Sequence, residues 1–437
     1  MDYVSLYQKL KMTPEEIAEQ VAPGFACASP SALSVSKTII CAIAARAKRG
    51  ELSGVTHHFT FPQSALPIFD DPELAGRYTP VLWFIGGVSR KAVLEGRAEI
   101  MPAYYKDFPE LWRKKVPLDV LCVTVSPMDK HGYFSLGLTG GEALAQLERA
   151  KLVFAEVNPN MPRTVGGTLI HISQLNGLCE SEEPLPCMPP QPETDDVSRK
   201  IGLMIAQEIP DGATLQLGVG TVPDVVGEAL QDKRDLGIHS ELFTDSMAKL
   251  IACGAVTNSR KKLDRYRSVA TFAFGTKKLY DFLDDNPAVM FKNVDYVNDP
   301  AIIAQNPKVI SVNSCLEVAL YGQVSSETMN MRPYSGTGGQ VDFVRGATAS
   351  EGGCSYIAMP STAKQGTISR ISLYLKPGSV VTTSKNDVDC IVTEYGIARL
   401  RGRTLSQRAK ELIAIAHPKF REELLWQAKN VILCYRL

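Results

Sequence analysis

Glu241 ends the run Gly237-Ile-His-Ser-Glu241, about twenty residues after the glycine turn Gly218-Val-Gly-Thr-Val-Pro223. A carboxylate at the mouth of a buried strand, facing such a turn, can act as a nucleophile rather than a solubilising charge. Read without that turn, Glu241 caps or solvates the start of the helix that follows Phe243. His239 falls on the same face as Glu241 if the run is extended, and on its own it reads as a satisfied core histidine. Gly218, Val219, Gly220, Thr221 and Val222 lie where a strand turns tightly into a helix. Glycines there let backbone approach a ligand, and free amides of the first helical turn favour an anion or oxyanion. The same pattern serves a purely structural βα turn. It is not a dinucleotide fingerprint, because Pro223 stands where the third glycine belongs.

A second glycine segment, Tyr334-Ser-Gly-Thr-Gly-Gly-Gln-Val-Asp-Phe343, places Gly338 and Gly339 in a loop with apolar flanks. Successive amides in such a loop form an anion nest or oxyanion hole, or else a simple surface turn. Lys364 and Arg370 supply cations suited to a phosphate or pantothenate tail. Glu317, inside an apolar strand-like run, and Glu394, beside Gly396, are competing acids. No G-x-S-x-G, P-loop or H-E-x-x-H pattern occurs, and the six histidines (57, 58, 131, 171, 239, 417) show no i, i+4 pairing. Metal-dependent hydrolysis is therefore not expected, and no metal ligand is assigned.

These residues need elements to hold them. A chain of 437 residues exceeds what one core serves, so two domains are expected. The segment Glu180–Glu193 carries five prolines between 184 and 192, which no helix or central strand accepts. The division read from it is 1–183, a linker 184–194, and 195–437. Both halves alternate β-rich runs with helical patterns, the signature of parallel βαβ units. Strands are expected at Val81–Ile85, Leu118–Ser126, Leu152–Val157, Thr214–Leu217, Val309–Asn313, Ser355–Met359, Ser379–Thr383 and Cys390–Thr393. Helices are expected at Asp195–Glu208 and Thr244–Cys253, the second stopped by Gly254.

Lys+Arg and Asp+Glu balance at 47 each, which argues against a nucleic-acid binder. The cluster Arg260-Lys-Lys262 with Arg265 and Arg267 reads as a solvated turn rather than a phosphate patch. Ten cysteines without a C-x-x-C pair read as small hydrophobes in a reducing compartment, neither a disulfide framework nor a zinc site. The amino terminus lacks a signal pattern and no apolar run is long enough to span a membrane, so a cytoplasmic location is expected.

Taken in order, several segments resemble the acetyl-CoA hydrolase/transferase family, in particular its 4-hydroxybutyrate and butyryl-CoA:acetate CoA-transferases. They are Leu215–Pro223, Gly237–Glu241, Gly275–Phe282, Ser335–Phe343, Val392–Gly396 and Ile413–Phe420, with Ser126–Phe134 and Ala155–Pro162 in the first half. The first hundred residues match least. The resemblance implies two α/β domains of CoA-transferase (NagB/RpiA-like) fold, with mostly parallel sheets flanked by helices, as a homodimer or higher homo-oligomer. It implies Glu241 as nucleophile, coenzyme A and a carboxylate as substrates, and no resident cofactor or metal. Glu317 is the rival, but where the family often has an aspartate two residues on, this chain has Ala319. Gly218–Val222, Gly338, Gly339 and Lys364 are the expected coenzyme A contacts. Butyrate or 4-hydroxybutyrate is the expected acceptor. Alternatives are acyl-CoA hydrolysis by the same glutamate, a dicarboxylate such as succinate or itaconate as acceptor, or a non-catalytic acyl-CoA binder. The acyl pocket is expected near Phe25–Leu33 and His57–Phe61.

Overall fold

A computed structural model describes residues 2–189 and 193–431. Residues 190–192 of the expected linker lie outside the described residues. The chain forms two compact units: Met1–Pro189 with Phe243–Asp245 and Val269–Val297, and Pro190–Leu242 with Ser246–Ser268 and Asn298–Leu437. Two pieces that follow the proline-rich segment thus count with the first unit.

The first unit holds a seven-stranded parallel sheet. Its strands are β1 (Ala26–Ala28), β2 (Val55–Thr60), β3 (Tyr78–Phe84), β4 (Glu99–Ile100), β5 (Val120–Val125), β6 (Leu152–Val157) and β7 (Gly177–Glu180). Their spatial order is β4-β3-β2-β1-β5-β6-β7. Fully buried runs such as Val120–Val125 have apolar side chains on both faces, as a parallel sheet covered by helices requires. Helix Lys37–Lys48 packs Ile39, Ile40, Ile43 and Ala47 into that core. His57 and His58 belong to the core as well. His57 bridges Ser29 Oγ (2.9 Å) and Tyr78 OH (2.6 Å), and His58 Nδ1 accepts from Trp83 Nε1 at 3.0 Å. Burial pushes their pKa values down to about 3 and about 4, so both rings are neutral, fixed packing elements.

The second unit builds a six-stranded sheet from β8 (Thr214–Leu217), β9 (Gly237–Ile238), β10 (Val309–Ser314), β11 (Cys354–Ala358), β12 (Cys390–Thr393) and β13 (Gly396–Arg399). The order is β9-β8-β10-β11-β12-β13, parallel except for the last pair. The strand order therefore reverses between β8 and β10, and open α/β sheets bind ligands outside the carboxyl ends of such a pair. Val318, Ile357, Ile391 and Leu412 lie in the hydrophobic core of this unit. Helix Asp196–Glu208 starts as expected, with Asp195 accepting from the Ser198 amide. Ser379–Thr383 is not a strand. Val380 and Val381 are exposed, and only Thr383 makes an isolated bridge, to Val324. Thr382 Oγ1 instead accepts the Ser326 amide at 2.8 Å, a side-chain bond that competes with ladder formation. No helix among the described residues is long and apolar enough to cross a membrane.

Candidate active site

At the reversal point, β8 and β10 are tied by a reciprocal amide pair. Gln216 Nε2 donates to Asn313 Oδ1 at 3.2 Å, and Asn313 Nδ2 donates to Gln216 Oε1 at 3.1 Å. The chain leaves β8 at Gly218 and enters helix Thr221–Ala229 through Gly220, whose φ of 128° strongly disfavours an L side chain. Val219 between them is 52% exposed, a large apolar side chain left at the mouth of the turn.

The Glu241 segment lies beside β8. The strand here is shorter than the alternation implies: only Gly237 and Ile238 pair with it. Beyond them the His239 amide still donates to Leu215 O at 3.0 Å. The outer edge of β9 is closed by side chains. Asn258 Oδ1 accepts from the Ile238 amide at 2.9 Å, and Lys261 Nζ donates to Ile238 O at 2.8 Å and to Arg267 O at 2.7 Å. Lys261 is therefore buried and structural, whereas Arg260, Lys262, Arg265 and Arg267 of the same cluster are exposed, as a solvated turn requires. The Lys261 ammonium satisfies the Ile238 carbonyl, which an edge strand would otherwise leave open, and ties it to the Arg267 carbonyl. His239 is fully buried and meets Phe343 edge to face at 6.3 Å.

Glu241 is held through Oε2. Asn298 Nδ2 donates to it at 2.7 Å, and the Gly339 amide donates to the same carboxylate. Gly339 precedes helix Gln340–Ala349, so the positive end of that helix faces the acid. A Cβ at residue 339 would overlap both Glu241 Oε2 and Asn298 Nδ2, so close approach, not only turn geometry, demands glycine. Asn298 is fully buried, and its amide also points at Asp342 Oδ2, 3.4 Å away on the same helix. Part of the Glu241 surface remains open, yet protein crowds the carboxyl. Desolvation therefore outweighs the two donors and pushes its pKa up to about 7. Against the ordinary value of 4.5, this disfavours the ionised form by about 3 kcal/mol. A poorly solvated carboxylate of this kind is a stronger nucleophile than a hydrated one.

Of the expected contacts, the structure brings Gly339 directly onto Glu241 and puts Gly338, with φ 58°, in the turn before it. Gly218, Val219, Gly220, Thr221, Val222 and Lys364 make no hydrogen bond to the acid. Lys364 sits at the tip of a hairpin pairing Thr362–Ala363 with Ile368–Ser369, with Lys364 and Gln365 both at positive φ. It lines a cleft of about 560 Å³ together with Arg370, Lys376, Met331, Ser379 and Glu317. Glu317 is buried there and accepts from Ser379 Oγ. Glu394 takes the Ser361 amide at 2.8 Å and its hydroxyl at 2.5 Å, locking a loop. Asn298 and Asp342 are the functional candidates that sequence reasoning missed. Asp342 stands among Val341, Phe343 and Val344 on helix Gln340–Ala349, the one hint available, whereas Asn298 lies in a turn with no local signal.

Residues 1–189 match the acetyl-CoA hydrolase/transferase N-terminal domain, and residues 275–428 match its C-terminal domain. A 4-hydroxybutyrate coenzyme A transferase of Clostridium kluyveri is 49% identical over 79% of this chain and 81% of its own length. A succinyl-CoA:cyclohexane-1-carboxylate CoA transferase of Geobacter metallireducens is 44% identical over 98% and 97%. Among solved structures, RipA from Yersinia pestis superposes with a TM-score of 0.95 at 39% identity, covering 99% of this chain and 100% of that one.

Proposed function

The chain belongs to the acetyl-CoA hydrolase/transferase family and is an enzyme that transfers coenzyme A, and from this we propose that Glu241 carries the coenzyme between two carboxylates. The Glu241 carboxylate attacks the thioester carbonyl of an acyl-CoA. The C–S bond breaks, leaving a mixed anhydride and CoA thiolate. The thiolate then attacks the side-chain carbonyl carbon of Glu241, forming a glutamyl-CoA thioester and expelling the first acid as carboxylate. A second carboxylate runs the steps backwards and leaves as its CoA ester, a ping-pong scheme.

One observation carries this reading: two donors, Asn298 Nδ2 at Oε2 and the Gly339 amide, converge on the carboxyl group of a desolvated acid. When the Glu241 carbonyl is attacked, negative charge develops on its remaining oxygen, and donors to the carboxyl group are already in place to receive it. The turn Gly218–Val222, at the strand reversal, offers amides and the exposed Val219 to the thioester end. Lys364, with Arg370 and Lys376 in one cleft, offers positive charge to the phosphates of the coenzyme. The acceptor proposed is a short-chain carboxylate such as 4-hydroxybutyrate or butyrate, in keeping with the name of the Clostridium kluyveri relative.

Incubation with an acyl-CoA followed by borohydride reduces a glutamyl thioester and inactivates the enzyme irreversibly. Glu241→Ala should have no activity to lose. Absence of acyl-CoA-dependent inactivation, or full activity in Glu241→Ala, would remove the covalent route. A panel of acids with acetyl-CoA as donor then identifies the acceptor. Free CoA accumulating without a second acyl-CoA would mean hydrolysis instead.

A further inference from the structure

Cys354 is the first residue of β11 and Cys390 the first of β12, adjacent parallel strands in register Tyr356 to Cys390. Their sulfurs lie 3.7 Å apart. Asp389 Oδ2 lies 3.3 Å from Cys354 Sγ and is oriented by the Ser355 amide at 3.1 Å. The two sulfurs and a carboxylate oxygen all fall within 4.8 Å of one another. A tetrahedral divalent ion with thiolates at about 2.3 Å sets two sulfurs about 3.8 Å apart, and a sulfur and an oxygen ligand about 3.5 Å apart.

We propose that Cys354, Cys390 and Asp389 form a binding site for a soft divalent cation of the Zn²⁺ or Cd²⁺ type, completed by water. The donor set of two sulfurs and one carboxylate selects thiophilic ions over Mg²⁺ or Ca²⁺. Each thiol gives its proton to solvent as its sulfur takes the metal. Arg399 Nη1, 3.7 Å from Cys390 Sγ, adds a positive charge beside the sulfurs. The same guanidinium also pairs with Glu208 through Nη2, which fixes its place beside Cys390. Cys354 and Asp389 are half-buried and give the ion and its water a way in, while Cys390 is buried and anchors the site. Both cysteines stand at the amino ends of their strands, whereas the turn at Gly218 leaves the carboxyl end of β8. The ion therefore fastens two strands of the sheet and takes no part in the transfer chemistry.

The test uses the full-length chain, reduced and stripped of metal with a chelator, then titrated with Cd²⁺ and with Zn²⁺. One Cd²⁺ per chain should bind and produce a thiolate-to-metal charge-transfer band in the ultraviolet. Cys354→Ser and Cys390→Ser should each lose that band while retaining CoA transfer, and Asp389→Asn should weaken binding. In the unmutated chain, Zn²⁺ should slow alkylation of Cys354 and Cys390 as read by peptide mapping, which decides the matter even if a serine variant fails to fold. No stoichiometric ion on the unmutated chain would overturn the site. So would a band that survives in both serine variants, or alkylation of the pair at the same rate with and without Zn²⁺.

Discussion

Replacing Asn298 by alanine removes the 2.7 Å donor to Glu241 Oε2 and should leave two separable marks on the kinetics. The first is on the free enzyme. Glu241 titrates near 7 because desolvation outweighs two hydrogen bonds, so deleting one bond raises that value further. The reactive form is the carboxylate, and with a pKa of about 7 only about a tenth of the enzyme holds it at pH 6. In the unmutated enzyme kcat/KM should therefore fall about tenfold for each pH unit below 7, and in Asn298→Ala that acid limb should move to higher pH. The second mark is on the chemical step. Losing one donor to a developing oxyanion costs about 3–4 kcal/mol, a drop of about 10²–10³ in kcat that persists above the acid limb. The assay follows formation of the second acyl-CoA by chromatography between pH 5.5 and 9, under saturating and limiting acyl-CoA. If Asn298→Ala kept the same acid limb and lost less than about threefold in kcat, its hydrogen bond would be a packing detail and the oxyanion argument would fail.

Gly339→Ala puts a methyl group onto Glu241 Oε2 and Asn298 Nδ2, so it should cut kcat by about a hundredfold or more while the circular dichroism spectrum stays unchanged. Lys364 is exposed at a hairpin tip, and Lys364→Ala should raise KM for acyl-CoA about fivefold with kcat nearly intact, an effect that shrinks with added salt. Glu241 also writes itself into stability. Its folded pKa lies above the unfolded value, so the native state holds the proton longer and stability is lost as pH rises from about 4.5 through about 7. Denaturant titrations across that range should show Glu241→Gln lacking this component, which approaches about 3 kcal/mol in the unmutated chain; identical pH dependence in both would count against the raised pKa.

The sheet of the second unit was legible because several of its strands are short β-branched runs stopped by glycine or polar residues, as at Val309–Ser314 and Cys390–Thr393. Ser379–Thr383 has the same composition and fails. Its two valines find no sheet face to bury against, Thr382 Oγ1 accepts from a neighbouring loop, and Thr383 Oγ1 accepts from Gln340. Glu241 and Gly339 could be nominated from local pattern, since each sits in a glycine-marked segment. Asn298 could not be. It stands 57 residues from its partner in an unremarkable Val-Asn-Asp-Pro stretch, and its meaning arises only when the chain folds back. Lys261 shows the converse error, where a run of charges looks solvated until a two-residue edge strand needs its carbonyls capped. The pair Cys354 and Cys390 escaped for the same reason as Asn298: a metal motif is sought at short spacing, whereas a parallel sheet sets side by side residues that are far apart in sequence.

The chemistry asks two opposite things of one side chain. Glu241 must first be an electron-rich nucleophile and then, as anhydride and thioester, an electrophile whose carbonyl oxygen gathers charge. A site tuned only for the first role would strip the acid of water and offer it no donors, so the charge returning to its carbonyl oxygen would find nothing to stabilise it. A site tuned only for the second would supply donors without removing water, and the carboxylate would be too well solvated to leave its shell. The observed arrangement does both by separating the terms. Burial raises the energy of the carboxylate, while two fixed neutral donors, an amide side chain and a backbone N–H, stand where charge will return. Neutral donors matter here, because they strengthen with developing charge on the oxygen yet do not hold the proton off at rest as a lysine or arginine would. Substituting a cation at Asn298 should therefore lower the acid limb and still slow the reaction, a combination that simple loss of a hydrogen bond cannot produce.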